Sequence, residues 1–296
     1  MGAAAIVAAF CSGCAMRQTT VGRPPQTPVS LKTATKRELI EQYDMLANSV
    51  TSINASVTIQ LTAGSTYSGV IEQYHEVSGF ILAQKPSNIR VIGQVPIVGK
   101  NIFDMESDGK MFHIFIPSKN QFLVGPADLE RSSSKPIENL RPQHLTEAIF
   151  WEPIPEEAPV LLEETTEPSS SFYVLTVVRA GQSSGASGTS ASEAEDWEIA
   201  RKIWFDRADL NVARIDTFDP GGKPTAIVRY TNWDAFGEVH YPRQILLDRP
   251  QNDYQLHLAI TKLTANEPIT PDRFDLPQPA GSELVRVAEG SEEQAP

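Results

Sequence analysis

Cysteine is nearly absent from this 296-residue chain: there are two, Cys11 and Cys14, both close to its start. A disulfide framework is excluded, and a four-ligand metal site fails as well, because the five histidines (His75, His113, His144, His240 and His257) are dispersed. Basic residues are also scarce. Lys plus Arg total 25 against 37 Asp plus Glu, for a formal net charge of -12, so no basic footprint exists for a phosphate backbone and nucleic acid is not expected as a partner. The apolar run Ala3–Phe10 is too short to span a bilayer, which needs ~20 residues.

Catalytic signatures are equally thin. Gly181-Gln182-Ser183-Ser184-Gly185 has the spacing of a nucleophile elbow, but it lies inside a Ser/Gly-rich stretch with no amphipathic helix after it. Asp104 to Gly109 has the front of a calcium loop, yet Phe115 stands where the bidentate Glu belongs. No histidine pair has metal-ligand spacing, so neither an enzyme nor a cofactor is nominated.

What is present begins with the leader. Ala3–Phe10 has the length of a signal-peptide core and leads into Cys11-Ser12-Gly13-Cys14. A redox Cys-x-x-Cys belongs at the start of a helix beside a βαβ unit, which is missing here. Two small residues before a cysteine at the end of an apolar run resemble a bacterial lipobox. By that resemblance residues 1–13 are a signal peptide, Cys14 is the lipidated N-terminus and 14–32, with Pro24, Pro25 and Pro28, is an extended tether.

The rest reads as a strand-rich domain over 33–280, followed by a disordered acidic tail, 281–296. Thr35-Lys36-Arg37-Glu38 is a capping box, with Leu39, Tyr43, Leu46, Val50 and Ile53 following at steps of three and four. From Ala55 the period becomes two, and strands are expected near 55–62, 68–76, 78–84, 88–94, 101–107, 110–117, 121–125, 171–180, 197–206, 212–218, 225–233, 243–249 and 253–264. A second helix is expected over Pro142–Trp151. The stretch Glu152–Pro168, with its six glutamates up to Val178 and no Lys or Arg, reads as an irregular loop. Few helices and many strands predict a mainly β (α+β) fold: a strongly curved antiparallel sheet, or incomplete barrel, with helices closing its concave face. Strand parity points inward with Val57, Ile59, Leu61, Phe80, Leu82, Phe112, Ile114, Leu256, Leu258 and Ile260.

The order of features is similar to that of the LolA/LolB superfamily of periplasmic lipoprotein carriers and receptors. The marks are Lys85-Pro86 with Arg90, the Asp108-Gly109-Lys110 turn, Tyr241-Pro242 before a strand and the terminal Phe274-Asp275-Leu276-Pro277. The resemblance implies a half-barrel whose cavity takes acyl chains of lipids or lipoproteins, with binding and no chemistry. It implies a monomer of the bacterial envelope in which the anchor at Cys14 favours the receptor kind, on the periplasmic side of the outer membrane, with a soluble periplasmic carrier as partner. The apolar loop Gln94–Lys100 corresponds by position to a cargo-delivery loop, with Ile97 or Val98 in the delivering role; tucking under the barrel rim is the other reading. A lipid sensor of the same fold and a structural subunit with a filled core are alternatives.

Overall fold

The computed structural model describes residues 30–64, 72–127, 140–181 and 197–287. Cys11, Cys14 and nearly all of the Ser/Gly stretch with its elbow-like spacing lie outside the described residues.

Helix α1 (Lys36–Ser49) starts as the sequence dictates: Glu38 N–H donates to Thr35 Oγ1 at 3.3 Å while Glu38 Oε2 accepts from Thr35 N–H at 2.7 Å, a reciprocal capping box. It buries Leu39, Tyr43 and Ala47. The expected stripe continues too far, because Leu46 is only half-buried while Val50 and Ile53 are buried beyond the helix, in its C-cap and in the next strand. That strand, β1 (Ser52–Ala63), alternates from Ala55 onward as period-two patterning requires.

The first half continues through β2 (Glu72–Gln73), β3 (Val77–Gln84), β4 (Asn88–Gln94), β5 (Asn101–Ser107), β6 (Met111–Ile116) and β7 (Gln121–Pro126). Helix α2 (Pro142–Ile149) follows, with Pro142 in its first turn and Leu145 and Ile149 buried. The second half runs through β8 (Val160–Thr166), β9 (Ser171–Ala180), β10 (Trp197–Asp206), β11 (Val212–Phe218), β12 (Pro224–Phe236), β13 (Val239–Arg249) and β14 (Tyr254–Ala265) before β15 (Glu283–Arg286). All fifteen belong to one sheet, in the order β15-β7-β6-β5-β4-β3-β1-β14-β13-β12-β11-β10-β9-β8, with β2 paired to β1. Neighbours are antiparallel except β15 and β7, and β8 and β15 do not pair with each other, so the sheet is curved and unclosed among the described residues.

Three expectations need correction. The stretch Glu152–Pro168 is not simply an irregular loop: its second half forms β8, where Val160, Leu162 and Glu164 oppose Val177, Leu175 and Tyr173, and its glutamates fit because this strand sits at a sheet end. Of the strand near 68–76, only Glu72–Gln73 is strand among the described residues. At the other end, β15 carries the sheet into the segment expected as a disordered tail, its backbone hydrogen-bonded along β7.

Both helices lie in the concave face, and their free ends are tied to the sheet by side chains. The Tyr241 and Tyr230 hydroxyls donate to the Ile149 and Ala148 carbonyls at 2.7 and 3.1 Å, satisfying two orphan carbonyls at the end of α2. Lys85 Nζ does the same for α1, donating to Ala47 O at 2.5 Å and to Trp151 O at 3.1 Å. The chain after β14 straps across the convex face. Arg90 forms a two-pronged pair with Asp104 and donates its other amino group to Arg273 O and Asp275 O at 3.1 and 2.9 Å, which holds the strap and seats buried Phe274.

Candidate functional site

The ten residues chosen by parity separate into two faces. Val57, Ile59, Leu61, Leu256, Leu258 and Ile260 point into the concave side and are buried, as is Phe112, under the Arg141 guanidinium; Ile114 faces the same way, half-buried against the core. Phe80 and Leu82 do not. In the β1–β3 register Phe80 opposes Ser56 and Leu82 opposes Asn54, while Ile81 and Ala83 oppose the inward Ala55 and Ile53. Phe80 and Leu82 share their phase of β3 with polar Ser78 and Gln84, while Val77, Gly79, Ile81 and Ala83 form a wholly non-polar phase, and pairing with the polar series of β1 sends the mixed phase to the convex face. Phe80 is consequently 45% exposed on the convex side, and Leu82 is buried there beside Pro268 and Ile269 of the strap.

The inward residues do not line an open cavity, because the concave face is filled. Trp151, only 2% exposed, packs with Tyr230, Tyr241 and Trp233 at ring separations of 5.2–5.8 Å, between the two helices and the sheet. Burial raises the Tyr230 and Tyr241 hydroxyls well above the ordinary phenol range and Tyr43 to about 12, so all three stay neutral. Burial also lowers the Lys85 ammonium. These motif residues, Lys85, Arg90 and Tyr241, are joints that hold helices and strap rather than groups facing a ligand.

Space remains at the side of α1. A groove of about 310 Å³ runs between that helix and the β12–β13 hairpin, floored by Leu46, Val212, Trp233 and Val239. Its rim carries Gln42, Ser49, Asn211, Glu238 and His240. The helix contributes Gln42, Met45, Leu46 and Ser49, one face at steps of three, four and seven, next to the buried stripe. Met45 is 67% exposed, an apolar side chain on a rim where sequence favours polar ones.

Trp233 reaches the groove through a local break in alternation. Tyr230 faces the concave side, so regular pleating would send Trp233 outward. Asn232 adopts a left-handed conformation, φ 56°, and Trp233 stacks on Trp151 at 5.8 Å and His240 at 5.3 Å while its indole N–H donates to Val212 O at 3.1 Å. Strand parity missed this wall; the exposed Met45 beside the helical stripe was its one visible sign in the sequence.

A second cavity, about 150 Å³, lies under the strap, lined largely by polar groups including Ser52, Asn54, Thr264 and Arg273. Among the described residues no group of three His, Cys, Asp or Glu is placed to hold a metal ion, and no helix is long and apolar enough to cross a membrane.

The loop after β4 projects outward. Ile97 is fully exposed and Val98 74% exposed, so neither tucks under the rim. The turn is nonetheless well held: Val95 N–H donates to Lys100 O at 2.9 Å and Gly99 N–H to Val95 O at 3.0 Å. Ile97 sits at φ 71°, a costly region for a β-branched residue.

No protein-family profile matches the chain, and no curated protein does. Solved structures give likenesses with TM-scores below 0.5. The chain is similar in fold to a LolA superfamily protein from Nitrosomonas europaea (13% identity, 82% of this chain, 99% of that one, TM-score 0.45). It is similar also to a DUF1329 family protein from Desulfovibrio piger (11%, 80% and 94%, TM-score 0.48) and to a candidate outer membrane lipoprotein-sorting protein domain from Vibrio parahaemolyticus (9%, 80% and 94%, TM-score 0.46).

Proposed function

We propose that this chain is a lipid-anchored protein of the bacterial envelope, held through Cys14 on the periplasmic side of the outer membrane, which binds an acyl chain of a lipid or lipoprotein without chemistry. The observation that carries the reading is the apolar groove between α1 and the β12–β13 hairpin. Its volume lies at the lower end of the ~300–1,000 Å³ typical of small-ligand clefts, and an apolar floor with a polar rim suits a chain with a polar head.

The energetics fit transfer. About ten buried methylenes at ~0.8 kcal/mol each give ~8 kcal/mol. Association costs of at least ~4 kcal/mol leave no more than ~4 kcal/mol, an affinity of about millimolar for one chain, which is loose enough to release. The exposed Ile97 and Val98 would deliver cargo by dipping into a bilayer, and a soluble periplasmic carrier would supply it to the monomeric receptor.

The test is lipid mass spectrometry on a Cys14→Ser chain purified without detergent from an envelope-bearing host. Stoichiometric acyl lipid is expected; no lipid, together with no displacement of a fluorescent fatty acyl probe, would sink the reading. The filled concave core favours one second reading, a structural envelope subunit that binds no ligand.

A further inference from the structure

We infer that the groove takes one acyl chain at a time, with an uncharged or cationic head, and rejects a free carboxylate or phosphate. This rests on the acyl-binding reading above and narrows it to a substrate class.

Size sets the number of chains. With its open mouth included the groove encloses about 740 Å³ of empty space, which at ~30 Å³ for a water-sized volume, close to that of one methylene, holds one sixteen-carbon chain of about 480 Å³. Two such chains need about 960 Å³ by the same measure and do not fit. The groove cannot deepen to hold them, because Trp233 forms its wall and Trp151, Tyr230 and Tyr241 fill the space behind.

Charge sets the head. The lining includes Glu238, exposed on the turn before β13, and no Lys or Arg. Gln42 donates to Leu210 O at 2.7 Å and His240 Nε2 pairs with Asn211 Oδ1 at 3.3 Å, so both already have partners on the rim, which carries one carboxylate. An anionic head seated there would face Glu238 with no Lys or Arg in the lining to pair it, within a chain of net charge -12, whereas an ester, amide or amine would not.

The experiment uses the full chain with Cys14→Ser and reads quenching of tryptophan fluorescence by bromine on the acyl chain, at pH 8. The probes are a dibromostearoyl monoglyceride, dibromostearic acid and the matching diglyceride. The monoglyceride is expected to saturate at one chain per protein, the free acid to bind about tenfold more weakly, and the diglyceride to bind no tighter than the monoglyceride. Glu238→Lys, at an exposed turn position, should fold normally and abolish the discrimination against the acid. Equal affinity for acid and monoglyceride, or tighter binding of the diglyceride, overturns the inference and leaves acyl binding standing. Absence of quenching by every probe overturns acyl binding itself.

Discussion

His144 offers a sharp test of the packing around α2. Its Nε2 lies 3.0 Å from an Arg249 amino group, which can only donate, so Nε2 accepts and Nδ1 carries the ring proton, donating to Tyr254 Oη at 2.5 Å. A second proton would have to sit against the Arg249 guanidinium. Burial, then Arg249 and then Arg141, push the imidazolium pKa down to about 2. The unfolded value is ~6.5, so this contribution to stability is fully present above pH ~6.5 and is lost as pH falls toward 2, the unfolded chain taking a proton that the folded one refuses. At ~1.36 kcal/mol per unit, about 2 kcal/mol disappears between pH 7 and pH 5. Other groups oppose this trend, since burial raises Glu147 and Glu106 and their protonation favours the folded state in acid. The comparison must therefore be with His144→Gln, which does not titrate and whose Oε1 can still accept from Arg249. Loss of the bond to Tyr254 should cost it about 1–2 kcal/mol at pH 7. In urea unfolding followed by tryptophan fluorescence, that difference should close by pH 5 and then invert. A constant difference from pH 7 to 5 would show that His144 is not held neutral, and the argument fails.

Tyr241→Phe leaves the buried Ile149 carbonyl without its donor and should cost about 1–3 kcal/mol by chemical unfolding, with a smaller loss for Tyr230→Phe at its longer bond. Arg90→Lys cannot hold Asp104 two-pronged while also donating to Arg273 O and Asp275 O, so limited proteolysis should cut the strap after Ala265 faster than in the parent chain; unchanged cleavage would show that Arg90 does not hold it. Thr35→Ala removes half of the α1 capping box and should lower stability by about 1 kcal/mol, read from the urea midpoint. Ile97→Glu with Val98→Glu touches only exposed side chains, so stability should stay within about 0.5 kcal/mol while transfer of acyl cargo to vesicles falls; loss of folding would instead show that the loop is packed.

Much of this architecture was written locally. The capping box starts α1 where Thr35 and Glu38 place it, and Pro142 opens α2, because a helix start is decided within one turn of chain. Period-two alternation placed β1, β4 and β14 within a few residues, since each has one drier face along most of its length, and β9, buried on both faces over Tyr173–Val177, was legible from its apolar run. β8 escaped because its glutamates read as loop; only its pairing with β9 and its place at the sheet end make them tolerable.

The site was less legible, for a physical reason. Periodicity reports which side of an element is apolar, and both an open cavity and a packed core look the same in it. The sequence determined that Val57, Ile59, Leu258 and Ile260 face inward and that Val95 to Val98 form an apolar loop. Tertiary structure alone decided that Trp151 and the two helices cover those inward residues and that Phe80 and Leu82 follow the polar series of β1 to the convex face. It decided too that the left-handed Asn232 turns Trp233 toward Met45 across an open groove. Each outcome depends on which surface arrives opposite, from about 25 positions away for Ser56 and Phe80 to nearly 190 for Met45 and Trp233, and such pairings leave no local trace.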